Sequence, residues 1–97
     1  MLSNNACRIK SILKIAELFG NEYVKENYHN SCTAYTNDDN DEEYEFFCGF
    51  QSDNKTNKWL IFARVSVNRI TEQVIFLDYK LPNGKRMEQP LKPIRCS

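Results

Sequence analysis

The apolar residues near the start of the chain recur at three- and four-residue steps, the spacing of one face of an α-helix. No proline interrupts the run, and the oxygens of Ser3 and its neighbours can cap its start, so we expect a helix over about residues 7–28. Gly20 lies within the stripe, where we expect it to allow a close approach to another element. Ile15 and Leu18 lie off the stripe. The stripe consists of Ile9, Ile12, Leu13, Ala16, Phe19, Tyr23 and Val24.

Beyond residue 32 the pattern changes to the two-residue period of β-strands. Strands are expected at residues 32–36, 44–51, 59–67 and 73–80, with a last short strand at 85–88. The predicted fold is α+β: one N-terminal helix packed on an antiparallel β-meander of four or five strands. We expect a single domain over residues 1–97, with the sheet at about 32–88 and a C-terminal tail at 89–97, which Pro90 and Pro93 keep out of a central sheet position.

The strand from Trp59 to Val67 is apolar on both of its alternating faces. Its odd-numbered residues are expected on one face, and Leu60 and Phe62 on the other. Since one helix covers only one face, we expect another protein chain to cover the second. The sequence leaves the register open, so the two sets could be interchanged. The expected second set is Phe47, Leu60, Phe62, Val74 and Phe76.

The densest charge cluster has six carboxylates within residues 38–45. It lacks the glycine and the distal glutamate of a calcium loop, and it has no apolar pocket to separate two pKa values for acid–base catalysis. One interpretation is a solvated loop. The other is a surface that binds a basic partner, such as a nuclease toxin, with carboxylates imitating phosphates. The predicted partner-binding residues are Asp38, Asp39, Asp41, Glu42, Glu43, Glu45, Phe47, Leu60 and Phe62.

Other reactive side chains are few. The only histidine, His29, is expected at the end of the predicted helix, where it can interact with terminal carbonyls, and no catalytic residue is predicted. His29 and Cys32 supply two ligands where structural zinc needs about four, so no metal or cofactor is expected. The cysteines could form two disulfides in an exported protein, but buried reduced thiols are favoured. They are Cys7, Cys32, Cys48 and Cys96.

The overall charge balance limits the classes of partner. With 13 Lys and Arg against 13 Asp and Glu, the net charge is zero, which argues against general attraction to nucleic acid or to an anionic membrane. The first ten residues contain no uninterrupted apolar run, so we expect a cytoplasmic protein. A nucleic-acid-binding module remains the weaker alternative, because basic residues gather toward the C-terminus. These are Lys80, Lys85, Arg86, Lys92 and Arg95.

The order of the elements Ile9–Val24, Tyr44–Gln51, Trp59–Val67 and Gln73–Lys80 resembles that of small cystatin-like or PepSY-like domains and of several small bacterial immunity proteins. The resemblance is one of topology. The Gln-x-Val-x-Gly hairpin of cystatins is absent, so inhibition of cysteine proteases is not implied. The resemblance implies a non-enzymatic immunity protein that neutralises a toxin by occluding its active site. The alternative is a homodimer in which the open sheet face packs against its twin.

Overall fold

The computed structural model describes residues 1–35 and 42–88, and it confirms the α+β arrangement. Two helices precede a four-stranded antiparallel sheet of order β1-β2-β3-β4, and α1 packs on one face of that sheet. The elements are α1 (Asn4–Phe19), α2 (Asn21–Asn27), a 3₁₀ turn (Tyr28–Asn30), β1 (Cys32–Tyr35), β2 (Glu43–Asp53), β3 (Lys58–Asn68) and β4 (Val74–Lys80).

The single helix expected over residues 7–28 is in fact two helices separated by Gly20. The Ser3 Oγ accepts a hydrogen bond from the Ala6 N–H at 3.2 Å and caps the start of α1. Gly20 ends α1 with φ of 97°, a conformation that glycine adopts without the steric cost of a Cβ. The expected close approach at Gly20 is wrong, because apart from its own helix and chain neighbours no atom of the described residues lies within 4 Å of the position that a Cβ would occupy.

The helix is also rotated relative to the stripe expected from the sequence. Its buried side is formed by Cys7, Ser11, Ile15 and Ala16. Ile15 is 1% exposed, whereas Leu13 is 61% exposed. A serine can occupy this core because the Ser11 Oγ donates to the Cys7 carbonyl at 2.8 Å, which satisfies the hydroxyl inside the helix. The predicted stripe is confirmed at Ile12, Ala16, Phe19 and Val24 and wrong at Ile9 and Leu13, which are exposed, because Ser11 and Ile15 take the core positions instead.

The face of the sheet that contacts α1 carries the core. The expected alternation of β2 is confirmed, with Tyr44, Phe46 and Cys48 buried and Phe50 packed against them. On β3 the buried apolar residues of this face are Ala63, Val65 and Val67.

Two residues of β4 were assigned to the wrong face. Val74 is paired with Val67, and Phe76 with Val65, so both lie on the helix side. Both pack against the core cluster. The expected second apolar set is thereby reduced to residues of β2 and β3.

The fifth strand expected at residues 85–88 is represented by a single bridge. Beyond β4 the chain turns through Gly84, which has φ of 87°, and Arg86 then pairs with Lys80. The Met87 N–H also donates to the Tyr79 carbonyl at 3.1 Å. This return places the Arg86 side chain beside the sheet. The predicted tail at residues 89–97 lies outside the described residues.

Candidate protein-binding surface

The face of the sheet opposite α1, here called the open face, carries a group of apolar side chains. None of the helices in the described ranges packs on this face, since α1 lies on the other one. The Phe47 and Phe62 rings are 6.1 Å apart and nearly parallel, and the Phe47 and Trp59 rings meet edge to face at 5.4 Å. We call Phe47, Trp59, Leu60 and Phe62 the apolar cluster.

The two central strands hold the apolar cluster in place. Phe47 lies on β2 opposite Arg64, and Phe62 lies on β3 opposite Gly49, so both rings are fixed by paired backbone. The cluster lines a groove of about 420 Å³, together with Lys58, Lys80 and Arg86. Leu60 is 36% exposed, while Phe47, Trp59 and Phe62 are half-buried. The groove is thus a shallow apolar surface on rigid strands.

Trp59 lies on the face opposite to the one expected from alternation. The pairing of β2 and β3 is irregular between Gly49 and Ser52, where Gln51 pairs with Ile61 but Ser52 pairs with Trp59. This irregularity shifts the face on which the last residues of the ladder point. The indole covers Gly49, at which a Cβ would lie 2.5 Å from the ring. Glycine is therefore required beneath the indole.

Replacing Gly49 with alanine should displace the indole and lower the free energy of unfolding by about 1–3 kcal/mol. The emission of Trp59, the only tryptophan, should shift to longer wavelength as the ring becomes more hydrated. The cause can be checked by measuring the same substitution in a Trp59→Leu background. If the indole is the obstacle, Gly49→Ala should destabilise the Trp59→Leu protein less than the wild type. An equal loss of unfolding free energy in both backgrounds would show that the alanine Cβ clashes with a group other than the indole.

None of the described residues of the acidic cluster lines the groove of the apolar cluster. Asp38, Asp39 and Asp41 lie outside the described residues. Glu43 pairs with Asn68 at the start of β2, about 13 Å from Phe47 at the usual strand rise. The structure therefore brings Phe47, Leu60 and Phe62 together but does not bring Glu43 to the same groove.

The other two described glutamates of the predicted surface already have partners. The Glu42 carboxylate accepts a hydrogen bond from the Asn68 side-chain amide at 3.1 Å. The Glu45 carboxylate forms an ion pair with Arg64, beside Phe47. The Arg64 ion pair offsets the negative charge that Glu45 offers to a basic partner, whereas the neutral Asn68 amide leaves Glu42 charged.

The basic side of the groove was not included in the predicted site. The Arg86 guanidinium donates to both carboxylate oxygens of Asp78, at 3.3 and 2.8 Å, and these bonds raise the pKa of Arg86. Lys58 and Lys80 form no ion pair with any residue that the structure describes. A sequence signal for the position of Trp59 is Gly49, because a glycine within a strand often marks a bulge or a close contact.

The other reactive side chains of the described ranges lie apart from the groove. Cys7 and Cys48 are buried free thiols, and burial raises the pKa of each, while Cys32 is an exposed free thiol. His29 shares a hydrogen bond of 3.1 Å with the Asn30 amide. Across residues 1–35 and 42–88, no three His, Cys, Asp or Glu side chains come together as a metal site would require.

Comparison of the chain with family models, with curated proteins and with solved structures gave no match. The resemblance to cystatin-like domains and immunity proteins therefore stays a prediction from the order of elements. None of the helices in the described part of the chain combines the length and apolar content needed to cross a bilayer.

Proposed function

We propose that this chain is a non-enzymatic binding protein of the immunity type, which neutralises a partner protein by covering its active site with the open face. The observation that supports this proposal is the apolar cluster, whose aromatic rings pack against one another on a sheet face that carries no described helix. Aromatic residues at the centre of a contact supply much of the binding energy in protein interfaces.

Rigidity of the surface supports the same proposal. Phe47 and Phe62 belong to the two central strands, each of which is paired on both sides over part of its length. A contact surface held in this way loses little conformational entropy when a partner binds. An inhibitor that must occlude an active site benefits from such a preformed surface, because little of the binding energy is used to order it.

The test is affinity capture from the organism that encodes the chain, with wild-type protein and two matched double variants. Phe47→Ser/Phe62→Ser should lose a stoichiometric partner that the wild type retains. Ile9→Ser/Leu13→Ser should retain it, because those apolar side chains are exposed on α1, away from the open face. Leu60→Glu, at an exposed position of the cluster, repeats the test with a smaller risk to folding.

The captured partner must also stop the growth of cells that express it alone, and co-expression of the wild-type chain must restore growth. A partner that is retained equally by the Phe47→Ser/Phe62→Ser and wild-type proteins would exclude the open face as the contact surface. Capture of no stoichiometric partner, with a dimer in light scattering that the same double substitution dissociates, would favour the homodimer instead.

A further inference from the structure

The groove carries two cations that have no described counter-ion, and this charge indicates the chemistry of its occupant. Lys58 and Lys80 both line the groove beside the apolar cluster. The nearby Asp53 carboxylate accepts hydrogen bonds from the Lys55 N–H at 2.9 Å and the Thr56 hydroxyl at 3.0 Å, within the β2–β3 turn. Arg86 is bonded to Asp78. The groove therefore favours an anionic occupant over a basic one.

The spacing of the two lysines fits an extended polypeptide. Lys80 pairs with Phe62, and Lys58 lies four residues before Phe62 on β3. The two positions are therefore at most about 13 Å apart along the strand direction, with Trp59 and Leu60 between them and Phe62 level with Lys80. In an extended peptide, the side chains at positions i, i+2 and i+4 point to the same face and span about the same distance.

We infer that the groove binds an extended acidic segment of the partner protein, in which carboxylates at positions i and i+4 flank an apolar side chain at i+2. The carboxylates contact Lys58 and Lys80, and the apolar side chain packs on Trp59, Leu60 and Phe62. This inference rests on the proposed function and specifies the surface that the partner presents.

Single-stranded nucleic acid fits the same groove less well. Backbone binding needs a row of cations, whereas only Lys58 and Lys80 lack an ion pair among the described groove residues. An acidic polypeptide satisfies both the charge and the apolar surface.

Trp59 provides a direct readout, because it is the only tryptophan of the chain and lies in the groove. The probe is a capped peptide with glutamate at i and i+4, phenylalanine at i+2 and serine between them. Titration should change the Trp59 emission with a dissociation constant on the order of 100 µM, as for a short peptide in a shallow groove. The same peptide with lysine in place of glutamate should bind at least tenfold more weakly.

Variants of the chain locate the interaction. Lys58→Gln/Lys80→Gln should weaken binding of the glutamate peptide about tenfold, and this difference should shrink in high salt. Lys10→Gln/Lys25→Gln removes the same charge from the helices and should leave binding unchanged. Equal affinity for the glutamate and lysine peptides, or an equal effect of the two double substitutions, would overturn the inference.

Two other occupants give distinct results. Tighter binding of a short oligothymidylate than of the glutamate peptide would assign the groove to single-stranded nucleic acid and overturn the inference. A Trp59 emission that depends on protein concentration without ligand, together with a dimer in light scattering, would assign it to a second copy. If capture depends on Phe47 and Phe62 but the glutamate peptide does not bind, only this inference is wrong. Peptide binding without a harmful partner would instead contradict the proposed function.

Discussion

Replacing Ile15 with alanine is expected to lower the free energy of unfolding by about 3 kcal/mol, as for other fully buried isoleucines. Ile15 is 1% exposed and belongs to the core cluster between α1 and the sheet. Alanine removes its apolar contacts and leaves a cavity that the paired strands beneath it cannot easily close. Urea unfolding followed by circular dichroism measures the change, and an unaltered slope would show that the native fold is kept.

Leu13 is the matched control for this prediction, because it lies on the same helix but is 61% exposed. Leu13→Ala should change the free energy of unfolding by no more than about 0.5 kcal/mol, since both residues favour helix and little surface is lost. A larger cost at Leu13 than at Ile15 would contradict the helix orientation in the structure and restore the one expected from the sequence.

The element types were predictable because each follows from a local period. The two-residue alternation of Tyr44, Phe46 and Cys48 identified β2 and its buried side, and the turn before Gln73 gave the neighbouring strand. The rotation of α1 was not predictable from apolar residues alone. Ser11 occupies the core by donating a hydrogen bond to its own helix, and the sequence does not show whether a helical serine is buried in this way or faces solvent.

The candidate surface was predictable only in part. Phe47 and Phe62 followed from alternation along regular stretches of β2 and β3. Trp59 did not, because the irregular pairing beside Gly49 changes the face on which it lies. Lys80 and Arg86 are brought beside the cluster by the register of β4 and by the turn that follows, and both are long-range features. Alternation gives the face of a residue but not its neighbours across the sheet.

Replacing Arg69 with alanine is expected to cost about 3 kcal/mol or more of the free energy of unfolding, because a large buried side chain is lost together with its polar contacts. Arg69 follows β3 and is 2% exposed. Its guanidinium lies over the Tyr44 ring, 5.4 Å from the centroid, and donates to the Leu2 carbonyl at 3.3 Å. The side chain thus joins the chain start to β2.

The backbone of Arg69 also ties three segments together, since its N–H donates to the Glu42 carbonyl at 2.8 Å and its carbonyl accepts from the Leu2 N–H at 3.0 Å. The Arg69→Ala variant keeps these backbone hydrogen bonds, so the fall in its free energy of unfolding reports the contribution of the side chain alone. Arg69→Lys should recover only part of it, because an ammonium lacks the planar stacking and forked donors of a guanidinium.

Arg8→Ala is the matched control, since the charge of Arg8 also lowers the pKa of the Tyr44 phenol, which burial raises to about 12. Arg8 lies on α1, and its guanidinium donates to the Asn5 side chain at an exposed site, so its loss should cost no more than about 0.5 kcal/mol. Equal costs at Arg8 and Arg69 would mean that general attraction near Tyr44, not the buried guanidinium, stabilises this end of the sheet. A loss of stability at Arg69 alone would show that its buried guanidinium, through the contact with the Tyr44 ring, stabilises the start of β2.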